Sequence, residues 1–475
     1  MKRKTTICIA LATVLLLAAC NGANTEAPTQ TPAMTVESQT PSPSPTLSPE
    51  VTPEVATEAP VATPLPEPLP DIAQEDVVNG LKYMLLDGKL YSLRSTYKEG
   101  DYGWTTELLV SDGVHAEPVQ LALLQSYANE LYLLDDNTLL MGTDWDSLSY
   151  QYDLSTNEAA ECFTGAVQCV DYVRRVVYYS IYNDMSARGL YEIGFDNLSG
   201  TGLFISEGSF EAYDEAAGVL YLSRPTSMEE FAELALYSLN LQTREEKLLT
   251  VLARTDEDFG YSNDSIPMMH IGTERVMFTL GAYQGTGNYF YGVLCAMDKD
   301  GGNLTRIAIG DIGDIQPEFE MINDIAYVSG AFVKASGEGY GVFQVSADLE
   351  EFNMLLPNAH TIGTFGDILV YEESVETGTG FSDMKFYDTA TGEQKLFMSY
   401  GAFPVFENFN YIQYYDVYRM GAYILYSVDI NAYDPEEDNW RGHYAYSVTN
   451  LAEIDGTTVR TLFEEFTDEP ISIGG

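Results

Sequence analysis

The sequence predicts an all-β protein, a β-propeller of four-stranded blades, eight in number with seven as the alternative count. Three observations predict it. First, eight strand-like cores recur at "KLYSL" (89–93), "ELYLL" (130–134), "VVYYS" (176–180), "VLYLS" (219–223), "VMFTL" (276–280), "IAYVS" (325–329), "ILVYE" (368–372) and "YILYS" (423–427), their starts 41 to 57 residues apart. Such a beat of four-stranded units is the mark of a propeller. Second, each core is preceded by another short strand candidate and followed by a loop and a hairpin, so every unit reads as strands a to d. Third, no long stretch has helical spacing; "SMEEFAEL" comes nearest, at a turn or two.

Before the array come two segments of other kinds. Lys2, Arg3 and Lys4 precede an apolar run from Ile7 to Ala19, too short for a bilayer span of about 20 residues but right for an export signal over 1–19. The run ends in Leu17, Ala18, Ala19 and Cys20, which resembles the lipobox of bacterial lipoproteins. The resemblance implies that the Cys20 thiol receives diacylglycerol. Residues 21–70 then hold 12 of the 20 prolines, with no aromatic residue, lysine or arginine. Such a chain cannot bury enough apolar surface to offset its ordering entropy. With Cys20 it reads as a tether over 20–70, reaching on the order of 100 Å at about 3.1 Å per residue. That reach suits the outer face of a cytoplasmic membrane beneath a thick, Gram-positive wall.

The propeller then occupies 71–475. Within a unit, "LALYSLNLQTREEKLL" (234–249) puts Tyr237, Leu239 and Leu241 on one face of strand c and Ser238 and Asn240 on the other, the period of a sheet. The turns "DLSTNE", "DTATGE", "DKDGGN" and "EIDGTT" supply the Asp, Asn, Thr and Gly of tight c–d turns. A count of whole units gives eight blades; strand sharing at ring closure would give seven. Two tandem β-sandwiches would leave the regular beat unexplained. The turns "AMDKDGGNLTRIA" and "EIDGTTVRTLF" resemble those of TolB-like and low-density-lipoprotein-receptor-like propellers. With the lipobox, the chain is similar to the propeller-bearing surface lipoproteins of Gram-positive bacteria. It lacks the receptor propellers' Tyr-Trp-Thr-Asp repeat, so their ligands do not carry over.

The full chain has 72 acids against 23 bases, a net charge of −49. That field repels polyanions and excludes nucleic acid as a partner. It also leaves the lipid as the membrane attachment. On the propeller, b–c and d–a connections share one face, and the longest loops lie there. The b–c segments carry Trp104, Trp145 and Trp440, with Tyr102, Tyr289 and Tyr433 nearby and Arg441 and His443 beside Trp440. Aromatic residues held by a rigid scaffold point to binding of a cell-surface protein, peptide or glycan. A polysaccharide hydrolase or lyase is the alternative, since two carboxylates suffice for glycoside hydrolysis, though "DWD" (144–146) and "DPEED" (434–438) are two acid pairs among many. A scaffold for an exported complex is a third reading.

The sequence contains no G-x-S-x-G, H-E-x-x-H or sialidase-type Asp box, and its four histidines lack metal-ligand spacing. "DKDGGN" begins like an EF-hand loop, but the twelfth position is Ile309, where a bidentate acid is required. A hairpin is expected there; no cofactor is predicted, and calcium among the acidic loops is left without a located site. Cys162 and Cys169 fall on strands d and a of successive blades, too far apart for the roughly 7 Å Cα limit of a disulfide. Both are expected as free thiols, as is a buried Cys295.

Overall fold

The computed structural model describes residues 69–72, 77–98, 103–113, 118–183, 187–227, 233–253, 255–256, 261–283, 290–308, 319–330, 339–374, 382–398, 410–434, 439–454 and 459–466. These residues form eight antiparallel sheets, each from consecutive strands, arranged as an eight-bladed propeller. The blades span 83–124, 130–164, 166–206, 209–252, 255–308, 319–357, 359–398 and 410–466. One short 3₁₀ turn, Phe195–Asn197, is the helical structure among the described residues.

Among the described residues no strand is shared at ring closure. Strand a of blade 1, Tyr83–Leu86, pairs only with strand b of its own blade, and the seven-blade alternative falls with that. Closure is instead made by side chains. Tyr83, Leu85 and Leu90 pack on Met420, Leu425 and Leu451 of blade 8, joined by Leu69 and Ile72 from ahead of the first strand. The Tyr83 hydroxyl and Thr449 Oγ1 lie 3.1 Å apart across the seam, and Arg460 reaches the Gly113 carbonyl. Between consecutive blades the same device repeats, with one apolar layer per seam. Tyr178, Leu190, Leu220 and Leu222 fill the seam of blades 3 and 4, and Leu236, Leu252, Val276 and Phe278 that of blades 4 and 5.

The c–d turns follow one chemical plan. Asp153 Oδ1 accepts the Ser155 and Thr156 amides at 2.7 and 3.1 Å. Asn240 Oδ1 accepts those of Gln242 and Thr243 at 3.0 and 2.9 Å, and Asp388 Oδ1 those of Ala390 and Thr391 at 2.9 and 3.0 Å. Four residues after each cap the backbone takes positive φ, at Asn157 (59°), Arg244 (60°) and Gly392 (76°). This is the short side-chain-to-backbone bond that makes Asp and Asn turn formers.

The a–b turns carry a second repeated device. Asp171 Oδ1 caps its own turn on the Arg174 amide at 2.8 Å, while Oδ2 accepts the Tyr213 hydroxyl of the next blade at 2.8 Å. Asp214 repeats this on the Ala217 amide at 3.1 Å and Lys299 Nζ at 2.7 Å. Asp135 faces Arg175 at 3.7 Å, Asp324 accepts the Thr273 amide, and Asp367 accepts from Asn323 at 2.9 Å. Five successive seams, from blades 2–3 to 6–7, are thus bridged on the a–b face.

Several expectations need correction. "ELYLL" belongs to strand a, Glu130–Asp135, not strand b, which is the equally short and mainly apolar Thr138–Gly142 that follows it. Blade 5 has five strands. Its strand a, Tyr261–Ile271, is long enough for Thr255–Asp256 to fold back and pair on its edge. Trp104 and Trp440 lie on strands rather than in loops, because each b–c hairpin keeps pairing, to Lys98–Gly103 in blade 1 and to Asp434–Asn439 in blade 8. Cys162, Cys169 and Cys295 are free, the last two buried. "DKDGGN" is the c–d turn of blade 5, closed by the Asp298 amide on the Gly302 carbonyl at 2.9 Å.

Candidate functional site

The b–c loop of blade 2 reads Thr143-Asp144-Trp145-Asp146-Ser147. The Trp145 amide donates to Thr143 Oγ1 at 3.1 Å, and the Ser147 amide to the Trp145 carbonyl at 2.8 Å. Asp146 Oδ2 accepts the backbone amides of Tyr182, at 2.7 Å, and Asn183, tying the loop to blade 3. The loop is therefore held at both ends, and it presents an indole that stays 66% exposed. Fixing the backbone removes the loop's share of the ordering cost of binding.

Two further rings flank it. Tyr182 is 38% exposed, and its hydroxyl accepts from Gln168 Nε2 at 3.0 Å, while the same amide group donates to the Ala166 carbonyl at 3.1 Å. On the other side Trp104, 43% exposed, meets Tyr127 edge-on at 5.0 Å and 63°. Asn129 Nδ2 donates to Asp144 Oδ1 at 3.1 Å, which brings the d–a link of blades 1 and 2 to the Trp145 loop. Burial raises the Tyr127 hydroxyl pKa, and the Asp144 charge raises it further. Burial likewise raises that of Tyr182. Both phenols therefore stay neutral hydrogen-bonding groups at ordinary pH.

One carboxyl inward of this strip behaves differently. Glu211 is the unpaired residue of a bulge in strand a of blade 4, Ser209–Asp214, and Ser223 of strand b donates to it. Part of its surface is accessible, yet surrounding protein pushes the carboxyl up to about 8, against a partial lowering by the Ser223 hydroxyl. Gln168 occupies the corresponding bulge in blade 3. Bulges on inner strands re-aim a side chain at the rim of the sheet, and here they place one amide and one protonated acid.

Of the residues singled out from sequence, Trp104 and Trp145 stand on this strip. Tyr433 and Trp440 are cross-strand partners near the tip of the blade 8 hairpin; Arg441 and His443 fall in the register shift between that pair and Asn431–Tyr444. Their side chains, and the whole of Tyr102 and Tyr289, lie outside the described residues. Sequence reasoning missed Tyr127, Tyr182, Gln168 and Glu211. The tyrosines are two of 34 and gave no signal. Glu211, an acid between Phe210 and Ala212 in an inner strand, was the one that could have been noticed.

Among the described residues no three His, Cys, Asp or Glu side chains gather to hold a metal. On the opposite face, Met277, Met321, Arg275 and Asp324 help line a groove of about 280 Å³. There Arg275 donates to the Ala347 and Asn303 carbonyls at 2.9 and 2.7 Å, and Asp324 accepts the Thr273 amide.

No protein-family model matches the chain, and no curated protein matches it in sequence. Among solved structures it is similar to a puromycin hydrolase, with a TM-score of 0.44 and 10% identity over 83% of this chain and 55% of that one. It is similar to an oligogalacturonate lyase in complex with manganese, with a TM-score of 0.41 and 12% identity over 73% of this chain and 97% of that one. TolB from Acinetobacter baumannii gives 0.31 and 9% over 70% and 77%. The chain spans 55% of the length of the prolyl endopeptidase and puromycin hydrolase structures it matches. The eight-bladed architecture rests on the chain's own sheets, and the likeness extends to no site.

Proposed function

We propose that the protein is an extracellular recognition module whose b–c/d–a face binds a cell-surface protein, peptide or glycan, while a lipid on Cys20 anchors it and the 20–70 tether carries the propeller into a Gram-positive wall. The observation that carries the reading is the Trp145 ring, 66% exposed on a loop fixed to its neighbouring blade. An apolar ring kept in water by a rigid backbone is a contact surface awaiting a partner. The basic start, the "LAAC" stretch and the proline-rich segment support the anchor.

The test is simultaneous replacement of Trp104, Trp145 and Trp440 by alanine. Loss of binding to intact cells or wall fragments with an unchanged circular dichroism spectrum is expected. Undiminished binding by the folded variant refutes the reading. Incorporation of labelled lipid that disappears in Cys20→Ser checks the anchor.

One observation favours a second reading, an enzyme acting on polysaccharide. Glu211, its carboxyl pushed up to about 8, carries the proton a general acid needs near neutral pH. Polysaccharide cleavage lost in Glu211→Gln would support it.

A further inference from the structure

The ring strip resting on blades 1 to 3 has a chemistry of its own, and the inference drawn from it rests on the recognition reading above. We propose that this strip is a binding site for a neutral pyranose oligosaccharide, which stacks on Trp145 and Tyr182 and runs toward Trp104 and Tyr127.

The rings come first. Trp145 and Tyr182 are neighbours, since the carboxylate of Asp146, next to Trp145 in sequence, accepts the Tyr182 amide at 2.7 Å. Both rings are exposed, at 66% and 38%, on backbone held by these hydrogen bonds. The C–H faces of a pyranose match flat, rigid aromatic rings of this kind, and a tyrosine or tryptophan loses little rotamer entropy in presenting them.

The polar groups beside the rings suit hydroxyls. Asp144 is exposed beside Trp145 and is held through one oxygen by Asn129 at 3.1 Å. The Tyr182 hydroxyl, held by Gln168 at 3.0 Å, keeps the donor and acceptor character of a phenol. A sugar hydroxyl donates and accepts at once, so it pairs with a carboxylate, an amide or a phenol without requiring a buried charge.

Charge and shape select among ligands. With Asp144 and Asp146 on the strip and a chain at −49, uronate or sulfated glycans are repelled. Trp145, Tyr182 and Trp104 all stand exposed, at 66%, 38% and 43%. The strip is an open platform, fitting an extended sugar chain better than the inserted side chain of a peptide anchor.

The experiment is calorimetric titration of the full-length protein with cellohexaose, the hexamer of N-acetylglucosamine, hexagalacturonate and decalysine. Binding of a neutral hexamer is expected, weakened at least tenfold in Trp145→Ala and in Tyr182→Ala and unchanged in Leu396→Ser, an exposed residue of an outer strand. Absence of binding by both neutral hexamers, hexagalacturonate binding as tightly as they do, or indifference to Trp145→Ala each overturns the proposal. Decalysine bound through Trp145 in their place overturns the sugar but leaves recognition standing. The triple tryptophan variant separates the two failures: if it loses cell binding while no neutral sugar binds, only the ligand class is wrong.

Discussion

At the level of single residues, Glu211 is a carboxyl whose ionisation burial opposes. It ionises near 4.5 in the unfolded chain, whereas in the fold burial pushes it up to about 8. Between these values the folded protein retains a proton that the unfolded chain has released. Stability therefore falls as pH rises through that window, and the whole penalty is present above it. Glu211→Gln removes the titration while keeping a hydrogen-bonding partner for Ser223. The variant is expected to melt above the parent at pH 9 and to converge with it at pH 4, as scanning calorimetry would read. An equal difference at both pH values would mean that the carboxyl ionises over the same pH range in the folded and the unfolded chain. Little of this was legible beforehand, because the shift comes from a bulge and from packing around it. An exposed indole such as Trp145 was easier to find, since tryptophan is rare here and its loop was placed by counting strands.

At the scale of elements, the hairpins were the most legible feature and the inner strands the least. Asp153, Asn240 and Asp388 declare their turns because each side chain supplies a bond that the backbone at that point needs. The inner strand of blade 2 was misread because "ELYLL" and "TLLMG" are both short, mainly apolar strands, one directly after the other, and either can pass for strand b. Strand ends were also misplaced where pairing runs past the apolar core, as at Trp104 opposite Tyr97. The turn plan makes a definite prediction at Gly392. Its φ is 76°, and a Cβ built there meets nothing closer than the Tyr387 hydroxyl at 3.8 Å. Gly392→Ala should therefore cost only the backbone term, about 1–2 kcal/mol. Gly392→Asn should cost less, because asparagine already occupies the same place at Asn157. Urea midpoints of the two variants check this. Equal costs would mean that the turn tolerates no side chain for a reason other than φ.

For the whole molecule, the sequence count of eight held because each blade is complete in itself. The manner of closure was not readable, since it depends on which residues meet more than 300 positions apart. Every seam is an apolar layer, but the one joining blade 8 to blade 1 differs in having no chain link across it. Tyr83 and Thr449, which meet there, are separated by 366 residues, so its contacts form only after the largest loop has closed. Contacts made late are absent from the folding transition state, and weakening them speeds unfolding rather than slowing folding. Leu425 in this seam and Leu222 in the seam of blades 3 and 4 are both buried, at 0% and 1% exposure. Replacement of either by alanine should cost about 2–5 kcal/mol at equilibrium. The kinetic division should differ. Leu425→Ala is expected to accelerate unfolding by nearly its full equilibrium cost, while Leu222→Ala, between blades adjacent in sequence, also slows refolding. Denaturant-jump kinetics on the two variants decide the matter. A slowed refolding of Leu425→Ala would show that the ring closes early, with blades 1 and 8 docking before those between them are complete.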